Sequence, residues 1–282
     1  MPTADPKQPL PDLADLIRFY ADAGVDEALE EEAADRFAEA ERAAQPARVP
    51  AQRQPPPAQQ ATPAALPPRP TPALAVPDEA QAARARELAR QAGSLDELRE
   101  ILDGFDGCNL KFTAKQTVFS DGNPQAPLML VGEAPGRDED IEGRPFVGRS
   151  GRLLDRMLAA IGIERRTGAH IANVVPWRPP GNRTPTPLET EICRPFIERQ
   201  IELANPRVLV TLGGPSAKVL LHASEGVLRF RGTWRTHVTA SGVEIPAMPT
   251  LHPAYLLRNP AHKKLAWRDF LEIRAKLDQT AG

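Results

Sequence analysis

The sequence predicts an α/β domain built on a largely parallel sheet with helices on both faces, preceded by a helical appendage. Three observations predict it. Apolar runs at about 127–131, 170–174, 207–212 and 244–249 alternate with longer helix-like segments, and such alternation gives parallel strands joined by crossover helices. The run PLMLV (127–131) is apolar without a break, as expected of a strand buried on both sides. Glycine and proline in 132–136 then turn the chain sharply, which places a pocket at the carboxyl end of that strand.

Ahead of the strands the chain divides by composition. Segment 13–44 has few breakers and sets Leu13, Leu16, Ile17 and Tyr20 at helical spacing, which predicts one or two short amphipathic helices with Glu30–Glu32 on a solvated face. Between Pro46 and Pro77, 11 of 32 residues are proline. That stretch has too little apolar surface to offset the entropy of ordering and reads as a disordered tether. Order resumes near Asp78 with EAQAARARELARQA, and SLDE (94–97) has the capping-box spacing of a second helix ending near Gly104. The expected organisation is an acidic helical segment at 1–45, a linker at 46–77 and one catalytic domain at 78–282.

Composition excludes several classes. No apolar run approaches the length of a membrane-spanning helix, and the N-terminus lacks the basic and apolar regions of a secretory leader, so a soluble cytoplasmic protein is expected. Cys108 and Cys193 are the only cysteines, too few for a disulfide framework or a four-cysteine metal site. The net charge of −2 hides an asymmetry: residues 1–80 hold 7 Lys+Arg against 14 Asp+Glu. The remainder is modestly basic, which suits phosphate binding.

The segment GEAPGRDEDIEGRPFVGRSG (132–151) concentrates chemistry: a glycine-proline loop, clustered carboxylates, Phe146, and a second loop, Gly148–Arg149–Ser150–Gly151, running into the amphipathic RLLDRMLAAIGI. The start of that helix can offer backbone N–H groups to a phosphate. Three further segments follow in order. HIANVV ends a strand at Asn173 before PWRPPGNRTPTPLE; VLVTLGGPSA joins a strand to a helix; LHPAYLLRNP lies near the C-terminus. Together they resemble the family 4 enzymes of the uracil-DNA glycosylase superfamily, over roughly 105–277.

The resemblance implies a three-layer αβα fold around a mostly parallel four-stranded sheet. It implies a monofunctional DNA glycosylase that flips uracil out of single- or double-stranded DNA and hydrolyses its N-glycosidic bond in base excision repair. The amide of Asn173 matches the O4 and N3–H of uracil, and Phe146 stands where the family stacks an aromatic on the flipped base. Glu139, or else Glu133, would orient water or stabilise the oxocarbenium-like sugar. Asp138 and Asp140 read as solvent-facing. Ala134 lies in the uracil pocket where the better-known family 1 enzymes carry a catalytic aspartate, so that carboxylate has no counterpart here.

His252 would donate a hydrogen bond to the charge developing on uracil O2. Leu256, or Leu257, would be the wedge that fills the space left by the base, and Arg258 a phosphate contact. Gly148, Arg149, Ser150, Gly151, Gly214 and Ser216 are further candidate DNA contacts, and Arg183 is either another or part of the turn. Family 4 enzymes usually hold a 4Fe–4S cluster on four cysteines. Here Phe105 and Trp177 replace two of them and only Cys108 and Cys193 remain, so no cofactor is expected and the aromatics are read as packing. Partners implied are uracil-containing DNA and a repair or replication protein met by 1–45, with no membrane and a monomeric chain. The rival reading is a non-catalytic or covalently trapping binder of uracil or abasic DNA. A nucleotide-binding reading lacks its GxGxxG after the first strand.

Overall fold

A computed structural model of the protein describes residues 79–280. They fall within one compact unit, 68–282. The helices expected at 13–44 and the tether at 46–77 lie outside the described residues.

Helix α1 (Glu79–Gln91) and helix α2 (Leu95–Gly104) open the domain. Ser94 caps α2 by accepting the Glu97 N–H at 3.2 Å, while the Glu97 carboxylate accepts the N–H of Gly93 at 2.7 Å. The reciprocal capping bond is thus shifted one residue outward. A short helix α3 (Leu110–Thr113) follows.

The four expected strands are present: β2 (Leu128–Gly132), β3 (Ala169–Asn173), β4 (Val208–Leu212) and β6 (Glu244–Thr250). They pair in parallel in the order β3-β2-β4-β6. Two antiparallel edge strands, β1 (Asp121–Gly122) and β5 (Arg235–Val238), extend this to a mixed sheet of six. The four-stranded expectation therefore covers the sheet's parallel part only. The edges escape an apolar-run argument because they are short and mostly unburied: only His237 of β5 is buried.

Alternation along β2 shows why both faces must be covered. Leu128 and Leu130 join one cluster with Leu154, Leu158, Phe270 and Ile273, which come from α5 (Arg149–Ala160) and α11 (Lys263–Gln279). Met129 and Val131 face the opposite cluster with Leu98, Leu102, Ile197 and Leu220, supplied by α2, α7 (Pro187–Ala204) and α8 (Gly214–Leu221). The result is the expected three-layer αβα sandwich. Helices α1 and α2 belong to this core: Ala85, Ala89, Leu98 and Leu102 are buried in it, and the Arg199 guanidinium of α7 donates twice to the Ala92 carbonyl.

Connections among the central strands leave β2 with β3 on one side and β4 on the other. That arrangement is a topological switch point, where loops from adjacent strand ends diverge and open a crevice. Of the remaining helices, α4 (Arg137–Glu142) borders it on the β2–β3 side and α9 (Val227–Phe230) and α10 (Pro253–Arg258) on the β4–β6 side, while α6 (Arg165–Gly168) leads into the amino end of β3.

Candidate active site

The carboxyl ends of all four parallel strands contribute to one cavity of about 530 Å³, whose wall includes Glu133, Phe146, Asn173, Gly213 and His252. Asn173 is the last residue of β3 and pairs in register with Gly132 of β2. A Cβ at position 132 would lie 2.4 Å from Asn173 Oδ1 and 2.7 Å from the Phe146 ring. Only glycine there lets the amide and the ring meet. Asn173 is buried, yet nothing among the described residues hydrogen-bonds its amide. Such a group normally finds a partner, so it is placed for a ligand.

Phe146 is 4% exposed and has a φ of 55°, a left-handed conformation that a bulky residue adopts only when its surroundings impose it. The Arg165 guanidinium donates to the carbonyls of Phe146, at 2.9 Å, and of Pro145. Arg165 is in turn paired with Asp121 and Asp155 at 2.8 and 2.9 Å. From the other side Gly151 abuts the Phe146 backbone so closely that a Cβ would sit 1.8 Å from its carbonyl oxygen. The Phe146 ring lies 5.4 Å from the imidazole of His252, at 31°.

His252 caps α10, its Nδ1 accepting the N–H of Ala254 at 3.1 Å. An acceptor Nδ1 places the ring proton of the neutral imidazole on Nε2. Burial, aided by the nearby Arg258 charge, lowers the imidazole pKa to about 4. His252 is therefore a neutral N–H donor at physiological pH.

The two carboxylates differ in their commitments. Glu139 accepts backbone N–H groups from Gly136 at 3.1 Å, Val147 at 3.1 Å and Gly148 at 3.3 Å, lashing the 132–136 loop to the 145–148 loop. Glu133 has a buried oxygen, Oε1, with no partner among the described residues, and burial raises its pKa above the ordinary carboxylate range. The first choice for orienting water from the sequence, Glu139, is thus occupied in bracing the loops. Glu133 is the uncommitted carboxylate of the cavity.

Several expected positions are corrected. Asp140 is 2% exposed rather than solvent-facing: its Oδ1 accepts the N–H of Lys115 at 2.7 Å and its other oxygen lies 3.8 Å from Arg178. Asp138 is exposed as read. Leu256 is 1% exposed within an apolar cluster, whereas Leu257 is 37% exposed, so of the two only Leu257 is free to act as a wedge. Ser216 is buried and its hydroxyl donates to the Gly213 carbonyl at 3.2 Å, which removes it from any DNA-facing surface. Gly151 is buried packing, and the Gly148 N–H is taken by Glu139. Arg183 grips Glu189 with two bonds of 2.8 and 2.7 Å. Burial opposes ionisation of Glu189, but Arg183 and the Thr186 N–H hold its carboxyl below the ordinary range, so Arg183 braces the turn. Arg149, Ser150, Leu257 and Arg258 share an open groove of about 440 Å³ beside the cavity. Ala134 and Gly214 line the cavity itself.

The four positions relevant to an iron–sulfur cluster form an apolar plug on the opposite side of Asn173's strand. Phe105, Cys108, Trp177 and Cys193 are all fully buried in one apolar cluster. Phe105 packs on Phe196 with centroids 5.1 Å apart, and the Trp177 indole N–H reaches Thr117 Oγ1 at 3.3 Å. The Cys193 thiol faces that of Cys108 at 4.0 Å. Two thiols and two aromatic side chains do not fit a four-thiolate cluster. Among the described residues no group of three or more His, Cys, Asp or Glu side chains is placed to hold a metal ion.

A switch-point cavity with a stacking ring, an unpaired amide and a neutral N–H donor defines a heterocycle-binding α/β domain. Comparison with known proteins gives the family. Residues 119–271 match the family model described as the uracil DNA glycosylase superfamily. The chain is 39% identical over 189 residues to a type-4 uracil-DNA glycosylase of Sulfurisphaera tokodaii, covering 64% of this chain and 84% of the relative. Type-4 uracil-DNA glycosylases of Archaeoglobus fulgidus (38% over 185 residues, covering 64% and 92%) and Thermotoga maritima (41% over 157 residues, covering 55% and 79%) are similarly related. The chain belongs to the uracil-DNA glycosylase superfamily.

Proposed function

We propose that the protein is a monofunctional uracil-DNA glycosylase that hydrolyses the bond between uracil and deoxyribose and leaves an abasic site. The observation that carries this reading is the unpartnered Asn173 amide beside the fixed ring of Phe146, in a cavity large enough for an extruded nucleotide. An amide offers one donor and one acceptor, the complement of uracil O4 and N3–H. Phe146 supplies the stacking face.

Bond cleavage follows from the remaining groups. The C1′–N1 bond breaks and its electron pair leaves with the base, so negative charge gathers on uracil O2, where the His252 Nε2–H donates. Because His252 is already neutral, it stabilises that charge without handing over a proton. A water oxygen bonds to C1′ and its proton passes to the Glu133 carboxylate, which also faces the positive charge on the sugar. Uracil then takes a proton from solvent. Glu139 acts by positioning, since its three backbone bonds set the loops that carry Glu133 and Phe146.

Leu257 is the wedge in this reading, with Arg149, Ser150 and Arg258 meeting phosphates beside it and Gly214 admitting the strand at the cavity rim. Residues 78–282 are the catalytic domain and 1–45 a docking segment for a repair or replication protein, joined by the 46–77 linker. The chain works as a cluster-free monomer in the cytoplasm. Among the described residues no helix is long and apolar enough to cross a membrane.

Incubating the protein with a uracil-containing oligonucleotide and then cleaving abasic sites with alkali tests the reading. Strand scission at uracil is the expected result; none at stoichiometric protein would overturn catalysis and leave a binder. Because burial raises the Glu133 pKa, the rate should fall with decreasing pH through a value above the ordinary carboxylate range, and Glu133→Gln should remove that limb.

A further inference from the structure

The cavity and its groove do not account for a second surface, where helices α5, α10 and α11 meet. Along one face of α5 stand Arg149, Arg152 and Arg156, spaced three and four residues apart and all exposed. With Arg258 and Lys263 of the neighbouring elements they form a row of cations without an acidic partner among the described residues. Three other cations of the region, Arg165, Arg231 and Arg274, are each paired with an aspartate. At the far end of the row lies a separate groove of about 190 Å³, with Arg156 and Lys263 on its rim, Met157, Leu256 and Phe270 in its floor, and Trp267 as one wall. The indole of Trp267 is 43% exposed, the most accessible of the three tryptophans in the chain.

We propose that this row and groove bind single-stranded DNA flanking the extruded uracil, with the phosphates on the arginines and one unpaired base stacked on Trp267. The proposal extends the glycosylase reading and rests on it for the strand's point of entry. Continuity supports it: Arg149 and Arg258 border the groove beside the cavity, and Leu256, in the floor of the Trp267 groove, adjoins the exposed Leu257. From Arg149 to Arg156 is about 10 Å along the helix axis, long enough for the arginines to meet more than one phosphate of a strand. The chemistry also fits. A cationic track interleaved with an aromatic platform is how sequence-independent single-strand sites are built, and a groove well under the roughly 300 Å³ of a drug-sized pocket suits one heterocycle.

The experiment compares wild type, Trp267→Ala and Trp267→Phe in binding fluorescently labelled oligothymidylate by anisotropy, and in excising uracil from single strands of increasing length. Trp267→Ala should weaken oligothymidylate binding and raise KM on long strands about tenfold, within the range for losing one stacked base. The penalty should shrink on a uracil trinucleotide, and Trp267→Phe should recover most of it. Arg152→Ala with Arg156→Ala should lower the salt dependence of single-strand binding by about 1.4 log units per decade, two phosphates' worth. Unchanged oligothymidylate affinity in Trp267→Ala would overturn the proposal, and would turn attention to a protein ligand for the same face. The binding arm contains no uracil, so it decides the platform even if the wild-type protein excises nothing; that result would instead count against the glycosylase reading.

Discussion

Asn173 and Trp177 stand four residues apart on one stretch of chain, and they serve two regions built on opposite principles. The cavity keeps polar groups in want of partners: the Asn173 amide, Glu133 Oε1 and the outward N–H of His252. The plug around Trp177 has the reverse character, with four buried side chains and one long indole hydrogen bond among apolar neighbours. The first region carries a stability cost at Glu133 Oε1, because a buried polar atom left unpaired costs folding free energy. The second consists of buried apolar packing. The plug is where this chain departs from the four-cysteine pattern.

The largest effect that would break this contrast concerns the amide. Asn173→Ala should reduce uracil excision about 10²- to 10⁴-fold, because an unread Watson–Crick edge loses interactions in the transition state as well as affinity. Single-turnover rates check it, and near wild-type excision would remove Asn173 from the site. On the plug side, Trp177→Ala should cost about 3–5 kcal/mol by opening a cavity in the core, read as a fall in the denaturation midpoint with unchanged slope.

Acid should separate buried imidazoles from the carboxylates. His170 is buried in β3 and burial lowers its pKa to about 4, so the unfolded chain binds its proton first as pH falls. Its contribution to stability is complete above about 6.5 and is lost progressively down to about pH 4, a difference of about 3 kcal/mol. Denaturation midpoints between pH 7 and 4 should fall accordingly, and His170→Gln should flatten the trend. A smaller change is expected from Cys108→Ser combined with Cys193→Ser: most excision activity remains, with a loss of about 1–3 kcal/mol from placing hydroxyls in apolar surroundings. A brown protein carrying stoichiometric iron and sulfide, bleached and inactivated together, would reverse the account of the plug. Deleting residues 1–77 should have the least effect on excision, and removing that acidic segment should tighten DNA binding at low salt; a folded but inactive truncation would bring the segment into the site.

The parallel strands were legible because burial on both faces leaves unbroken apolar runs, as in 127–131. The edge strands were not, since one buried residue in β5 leaves no pattern to find. That Asn173 and Phe146 share one cavity was legible in the ordered motifs. The roles of Glu139 and Asp140 could not, because what decides them are N–H groups supplied by Val147 and Gly148 on the next loop and by Lys115 and Gln116 some 25 residues upstream. Leu256 and Leu257 show the same limit at shorter range: adjacent apolar residues on a six-residue helix leave its phase open until α5 and α11 show which side is core. Ser216 looked available as a hydroxyl after a glycine pair, and only the fold reveals that it points back to the Gly213 carbonyl.

Arg165 does not itself line the cavity, yet it holds Pro145 and Phe146 by their carbonyls and is itself moored by two aspartates. On the proposed reading, the Phe146 ring meets the base already fixed: the entropy of freezing it is lost on folding, and the arriving nucleotide does not lose it again. Affinity for the flipped base is in this sense manufactured more than one residue away from it. Loosening the mooring would leave every group of the cavity in place while making the ring one conformer among several, a defect visible in binding strength and invisible in a list of contacts.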